Sequence, residues 1–239
     1  MDWQTEIKSA RDRIEPYVRR TPVMELAVDG LTHPVALKLE QMQHTGSFKV
    51  RGAFNTLLSQ AVPEAGVVAA SGGNHGAAVA HAARQLGHKA RIFVPEIAGP
   101  AKIALIERTG ADLVVVKGAY ANALEAAQTY EAETGAMQIH AYDAEATVAG
   151  QGTFMLEWEE QGLEADTVLI AVGGGGLIAG ALGWLDGRRK VVAVESETCN
   201  TLHAALSAGE PVDIQPSGIA ANAQGARRIG EICFELSKA

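Results

Sequence analysis

The 239 residues include 28 acidic and 20 basic side chains, a formal net charge of −8, with 47% hydrophobic and 20% charged residues. That balance suits one large buried core or two small ones, and the scattered basic residues exclude a nucleic-acid or anionic-membrane surface built on a Lys/Arg block. Cys199 and Cys233 have neither metal-ligand nor disulfide spacing, so free thiols in a reducing, cytoplasmic compartment are expected.

The start, Met1 to Glu6, is polar and acidic and has no signal-peptide pattern. The first informative element is a helix starting near Ser47, on which Val50, Ala53, Phe54, Leu57 and Leu58 follow helical spacing. Lys49 stands at the flank of that stripe, with Phe48 beside it. Its stem can be buried there while its amine points into a cavity. A buried lysine amine has a depressed pKa, and a neutral amine can react with an aldehyde; the bland alternative is a solvated first-turn lysine.

Short apolar runs follow at Val67–Ala70, Ala90–Val94, Leu113–Val116, Val168–Val172 and Val191–Val194. They read as strands of a parallel sheet buried on both faces. Between them the pattern predicts helices over Asn74–Leu86, Gly99–Arg108, Tyr120–Glu133 and Leu177–Leu185, the first three closed by Gly87, Gly110 and Gly135. Alternating strand and helix predicts an α/β fold with right-handed crossovers. The three strand–helix units from Gly66 to Glu133 suggest a small domain over 46–142, with a larger one built from 1–45 and 143–239. Val168–Leu185 is 18 residues without a charge, close to the length of a membrane span. Six glycines interrupt it, so strand, turn and helix explain it better.

Two turns carry chemistry. Ser71-Gly72-Gly73-Asn74-His75-Gly76 joins a strand to a helix. It reads as a carboxylate-sized anion pocket, or as nothing more than Asn74 capping the helix. Gly173 to Gly176 joins the next such pair. Bare N–H groups at a helix N-terminus suit a phosphate, and four glycines would let an oxyanion approach from almost any side. The same run, as Gly174-x-Gly176-x-x-Ala179 with Glu195 ending the next strand, also fits a dinucleotide fingerprint. That reading leaves Lys49 and the Asn74 turn without a role.

Taken together, the segment Ser47-Phe48-Lys49-Val50-Arg51-Gly52-Ala53, the Asn74 turn, the glycine run with Leu177, and Gly150-Gln151-Gly152-Thr153 resemble the fold-type II pyridoxal-phosphate enzymes of the serine/threonine dehydratase family, with serine racemases as close relatives. The resemblance covers essentially the whole chain. It implies a two-domain, tryptophan-synthase-β-like fold with parallel sheets flanked by helices. It also implies a dimer, an amino-acid substrate, no nucleic-acid partner and no membrane. The reaction implied is elimination of water from threonine or serine, with the cofactor phosphate helping to protonate the departing hydroxyl.

Residue by residue, the resemblance makes Lys49 the Schiff-base lysine and the base at the substrate α-carbon. Phe48 lies against the cofactor ring and Asn74 bonds its hydroxyl. Gly173, Gly174, Gly175, Gly176 and Leu177 hold the phosphate, with Gly218 bordering the cofactor. Ser71, Gly72, Gly73, Asn74 and His75 clamp the substrate carboxylate.

Three departures from the family pattern set further expectations. Gly72 replaces a serine that racemase-like relatives place opposite the lysine, so one-base elimination fits better than racemisation. Glu195 and Cys199 match a divalent-cation site, but Thr201 stands at its third position, so no metal is expected. Relatives continue past the equivalent of Ala239, so a shortened large domain is expected. A racemase or hydroxyaspartate lyase, a catalytically impaired cofactor-binding remnant and a dinucleotide-binding domain are the competing readings.

Overall fold

A computed structural model describes residues 1–238. Helix α1 (Trp3–Ile14) begins at Asp2, whose carboxylate accepts the Thr5 N–H and so satisfies one of the unpaired donors of the first turn. An antiparallel pair follows, β1 (Val23–Leu26) against β2 (Val35–Lys38). This hairpin was not expected, because each strand has only four residues and neither has a fully buried position, and the Asp29-Gly30 turn between them stood without a recognisable strand on either side. Helix α2 (Lys49–Ser59) starts two residues later than expected, because Ser47 is extended (φ −160°) and Phe48 occupies the N-cap.

Strand and helix then alternate through β3 (Val67–Ala70), α3 (Asn74–Gln85), β4 (Ala90–Pro95), α4 (Pro100–Glu107), β5 (Asp112–Val116), α5 (Tyr120–Thr134) and β6 (Met137–Gln138). The strands form one parallel sheet in the order β5-β4-β3-β6. Each helical crossover returns the chain to the same sheet end, which makes the pairing parallel. Side chains alternate across it. Val67, Ala69, Ile92 and Val94 meet Val50, Phe54 and Leu57 of α2 and the alanines of α3. Val68, Ala70 and Phe93 meet Ala123 and Ala127 of α5 on the other face.

Next come α6 (Glu145–Glu160), β7 (Thr167–Ala171), α7 (Gly176–Leu185), β8 (Lys190–Val194), α8 (Thr201–Ala208), α9 (Ala221–Gln224) and α10 (Glu231–Leu236). β7 and β8 pair in parallel. The uncharged run Val168–Leu185 is therefore a strand, a turn and a helix, and among the described residues no helix is long and apolar enough to cross a membrane. Burial on both faces, expected of every strand, holds for β3 but not for β7. There Val168 and Ile170 enter a core with α6, α7, α8 and α10, while Leu169 is 68% exposed on the uncovered face.

Helix α6 ties the halves together. Every residue from Thr147 to Trp158 is buried, so it shows no single apolar stripe for a periodicity argument to find. Gly150 and Gly152 are about 200° apart around it. A Cβ on Gly150 would lie 2.5 Å from the Arg51 carbonyl oxygen of α2. A Cβ on Gly180 of α7 would lie 2.5 Å from the Gly152 nitrogen. Two backbone-to-backbone contacts thus clamp α6 between α2 and α7.

Candidate functional site

The site grows from the ends of α2 and α7 that α6 holds together. At the start of α2 the Lys49 Nζ donates to the Ala141 carbonyl oxygen at 2.7 Å and lies 5.1 Å from the Phe48 ring centroid. Burial lowers its pKa to about 8, because a desolvated ammonium is disfavoured.

Two residues on, Arg51 is 1% exposed and bridges two carboxylates, Glu40 at 2.8 Å and Glu157 at 3.0 Å. Lys38 also pairs with Glu157 and donates to Gln161 at 2.7 Å. Two cations and two anions therefore balance inside the protein and pin the first turns of α2 to β2 and α6. Sequence reasoning missed this cluster, because its members are far apart along the chain and only Arg51 falls in a recognised segment.

At the turn from β3 to α3, Gly73 takes the N-cap position and Asn74 is the first helical residue, with no side-chain cap bond. Asn74 lies inside the helix and makes no cap bond, so the helix-capping alternative for it does not hold. The Ser71 Oγ accepts the Gly73 N–H at 3.2 Å. His75 is buried, with Nε2 2.8 Å from the Ile139 carbonyl. Burial and then the charge of Lys49 push its pKa down to about 3, so the ring is neutral and its Nε2–H donates to that carbonyl. Gly72 is closely covered, since a Cβ there would lie 2.3 Å from the Ala98 Cβ.

The glycine turn opens α7 as expected, with Gly175 as N-cap at φ +94° and Leu177 in the first turn. Among the described residues the N–H groups of Gly174, Gly175 and Gly176 have no partner in another element, which leaves them free for an anion. Approach from almost any side is corrected, however. A Cβ at Gly174 would lie 2.3 Å from the Tyr142 ring, one at Gly175 would lie 2.6 Å from Cys233, and one at Gly176 would lie 2.3 Å from the Gln151 Oε1. Close packing by the protein is thus a second reason for the glycines.

The segment joining β6 to α6 completes the arrangement. His140 lies edge-on to Tyr142, with ring centroids 4.9 Å apart. The Tyr142 hydroxyl donates to the Arg228 carbonyl at 3.3 Å. The Asp143 carboxylate accepts from the N–H groups of Glu231 and Ile232 and caps α10. None of these residues was singled out in the sequence, because no local motif marks them. Gly218 sits in an exposed loop (φ +73°) beside Thr198, and no hydrogen bond among the described residues joins it to Lys49 or to the glycine turn. Glu195, which the dinucleotide reading needs for a ribose, spends its two oxygens on the N–H groups of Leu202 and His203 at the start of α8.

The family model described as pyridoxal-phosphate dependent enzyme matches residues 14–239. An L-threonine ammonia-lyase of Thermotoga maritima is 35% identical over 240 residues, which cover 98% of this chain and 60% of that protein. The chain thus spans well under two thirds of that relative's length. A phenylserine dehydratase of Ralstonia pickettii is 34% identical, covering 97% of this chain and 73% of the other. Among solved structures, a maize serine racemase superposes with a TM-score of 0.92 at 31% identity, over 98% of this chain and 73% of that one.

Proposed function

Because this chain belongs to the family of pyridoxal-phosphate dependent enzymes, we propose that it binds that cofactor through Lys49 and eliminates water from L-threonine or L-serine. The products are a 2-oxo acid and ammonia. The observation that carries the reading is a buried lysine amine that shares the Ala141 carbonyl with Gln151, whose side chain packs against the start of α7, where N–H groups are free. The residues present fit an aldehyde that bears a phosphate. About a tenth of Lys49 is neutral at pH 7, and the unpartnered N–H groups of Gly174, Gly175 and Gly176 at the dipole end of α7 would suit a phosphate.

The cofactor, when bound, supplies an aldehyde that captures an amine and a ring that accepts electrons from the α-carbon. This chain's own residues do the rest. Lys49 Nζ takes the α-proton, and the β-carbon loses its hydroxyl as water. The unsaturated amine released then adds one water and loses ammonia, so the water lost is regained. Phe48, Asn74 and Leu177 would hold the group, Phe48 against its ring, Asn74 toward its hydroxyl and Leu177 at the phosphate turn. Ser71, Gly72, Gly73, Asn74 and His75 hold the substrate carboxylate, His75 as a neutral ring. Gly218 is proposed as a cofactor neighbour on resemblance alone.

The division into domains 46–142 and 1–45 plus 143–239, a homodimer and a cytoplasmic setting belong to the same proposal. The two free, buried cysteines suit a reducing compartment. The racemase alternative has less support, because Gly72 offers no proton donor and Ala98 fills the space beside it. The test is Lys49→Ala. Borohydride should fix pyridoxal phosphate on Lys49 of the native chain, as read by peptide mass spectrometry, and on no residue of the folded variant. An adduct that persists elsewhere at equal yield refutes the assignment.

A further inference from the structure

One carbonyl oxygen is shared by two side chains of different elements. The Ala141 oxygen accepts from Lys49 Nζ at 2.7 Å and from Gln151 Nε2 at 3.2 Å. Gln151 is 0% exposed, and its Oε1 has no hydrogen-bond partner among the described residues. That oxygen points at the first residue of α7, where a Cβ on Gly176 would lie 2.3 Å from it. Burying an amide with half its capacity unmet is costly, and an apolar side chain of the same length would avoid the cost. The amide must therefore be explained by what its N–H does. Its location is fixed as well, because Gly150 and Gly152 on either side press against α2 and α7.

We propose that Gln151 is a positioning residue for Lys49, holding the Ala141 carbonyl where the lysine amine is received. This deepens the reading of Lys49 as the reactive amine and rests on it. A fixed carbonyl oxygen accepts more strongly from an ammonium than from an amine. It therefore offsets part of the desolvation that brings Lys49 down to about 8. The titratable groups that face Lys49 are His75 from α3 and His140 from the segment before α6, with Asp143 acting on His140. Burial lowers both histidines, so neither adds a like charge beside the amine.

The test uses cofactor-free protein. Lys49 acetylation by acetic anhydride is followed against pH by peptide mass spectrometry, with circular dichroism to confirm folding. Gln151→Met keeps the length of the side chain and removes its N–H. The carbonyl is then free to turn away, and the midpoint should fall by about half a pH unit or more. Gln151→Glu places a carboxylate beside the shared oxygen, and the midpoint should rise. Opposite shifts support the proposal. No shift, or shifts in one direction, overturn it, because a purely structural residue would loosen the site alike in both variants. In the native chain the Gln151 side-chain N–H resonance should move with the Lys49 titration. A resonance that stays still overturns the proposal even if neither variant folds. Failure of the cofactor reading shows separately, as no borohydride-fixed adduct, because acetylation needs no cofactor.

Discussion

Replacing Gly150 by alanine tests whether the clamp on α6 sets the geometry of the site. Three atoms crowd the new Cβ: the Arg51 carbonyl oxygen at 2.5 Å, the Asn55 Cβ at 2.7 Å and the Gly52 Cα at 2.8 Å. All belong to backbone or to the first side-chain atom, so none can swing aside. Restoring ordinary contact needs α2 and α6 to part by about 1 Å. Overpacking of this kind costs about 1–3 kcal/mol, and contacts this close without a flexible partner belong in the upper half. Alanine returns about 1 kcal/mol through its helix propensity. The net loss is about 1–2 kcal/mol, or about 2–8 °C in Tm for a chain of this size. Circular dichroism melts of the cofactor-free protein measure it. Because the displaced segment of α2 carries Lys49, the yield of borohydride-fixed adduct should fall in the same variant. A Tm equal to or above that of the native chain would mean that the crossing is loose and the reasoning wrong.

Three other outcomes are expected. Arg51→Met leaves Glu40 and Glu157 facing each other with Lys38 alone and should cost about 3–5 kcal/mol, read as a shift in the urea midpoint; a loss below about 1 kcal/mol would show that the cluster is well solvated. With Gly72 in place D-serine should not accumulate from L-serine faster than pyruvate; Gly72→Ser should destabilise through the Ala98 contact, whereas Gly72→Ser with Ala98→Gly should recover the melt, and additive effects on stability would refute the contact. The pH profile of stability should have two limbs. Lys49 titrates at about 8 folded and about 10.4 unfolded, so the unfolded chain holds more protons between these values and stability rises with pH there. His75 titrates at about 3 folded and about 6.5 unfolded, so stability falls as pH drops through that window. Urea titrations of Lys49→Met and His75→Gln should each flatten one limb; an unchanged limb would exclude that residue as its source.

The parts of the fold written in local pattern were legible. The parallel sheet showed as β-branched runs such as Val67–Ala70, and Gly87, Gly110 and Gly135 marked helix ends through their positive φ. The hairpin β1–β2 was not legible, because its strands are four residues long and half exposed, although Asp29-Gly30 in the joining loop, with Gly30 at φ +85°, is a turn signal. Helix α6 was invisible for the opposite reason, being buried all round. For the site, Lys49 and the glycine turn could be read from chemistry-bearing residues at element ends. The Arg51 cluster and the shared Ala141 carbonyl could not, since one joins residues about a hundred positions apart and the other acts through a backbone atom that any residue would supply.

The double clamp on α6 also governs how the protein breathes. Its backbone approaches α2 at Gly150 and α7 at Gly152, with the wholly buried Gln151 between them. A fluctuation that frees these three amides must part both neighbouring helices at once. Such an opening has no small version, so it coincides with unfolding of the whole cooperative unit. Deuterium uptake at Gly150, Gln151 and Gly152 should therefore be among the slowest in the chain and report global stability, while β1, β2 and the Gly218 loop exchange through local excursions that leave the lysine and the glycine turn in register.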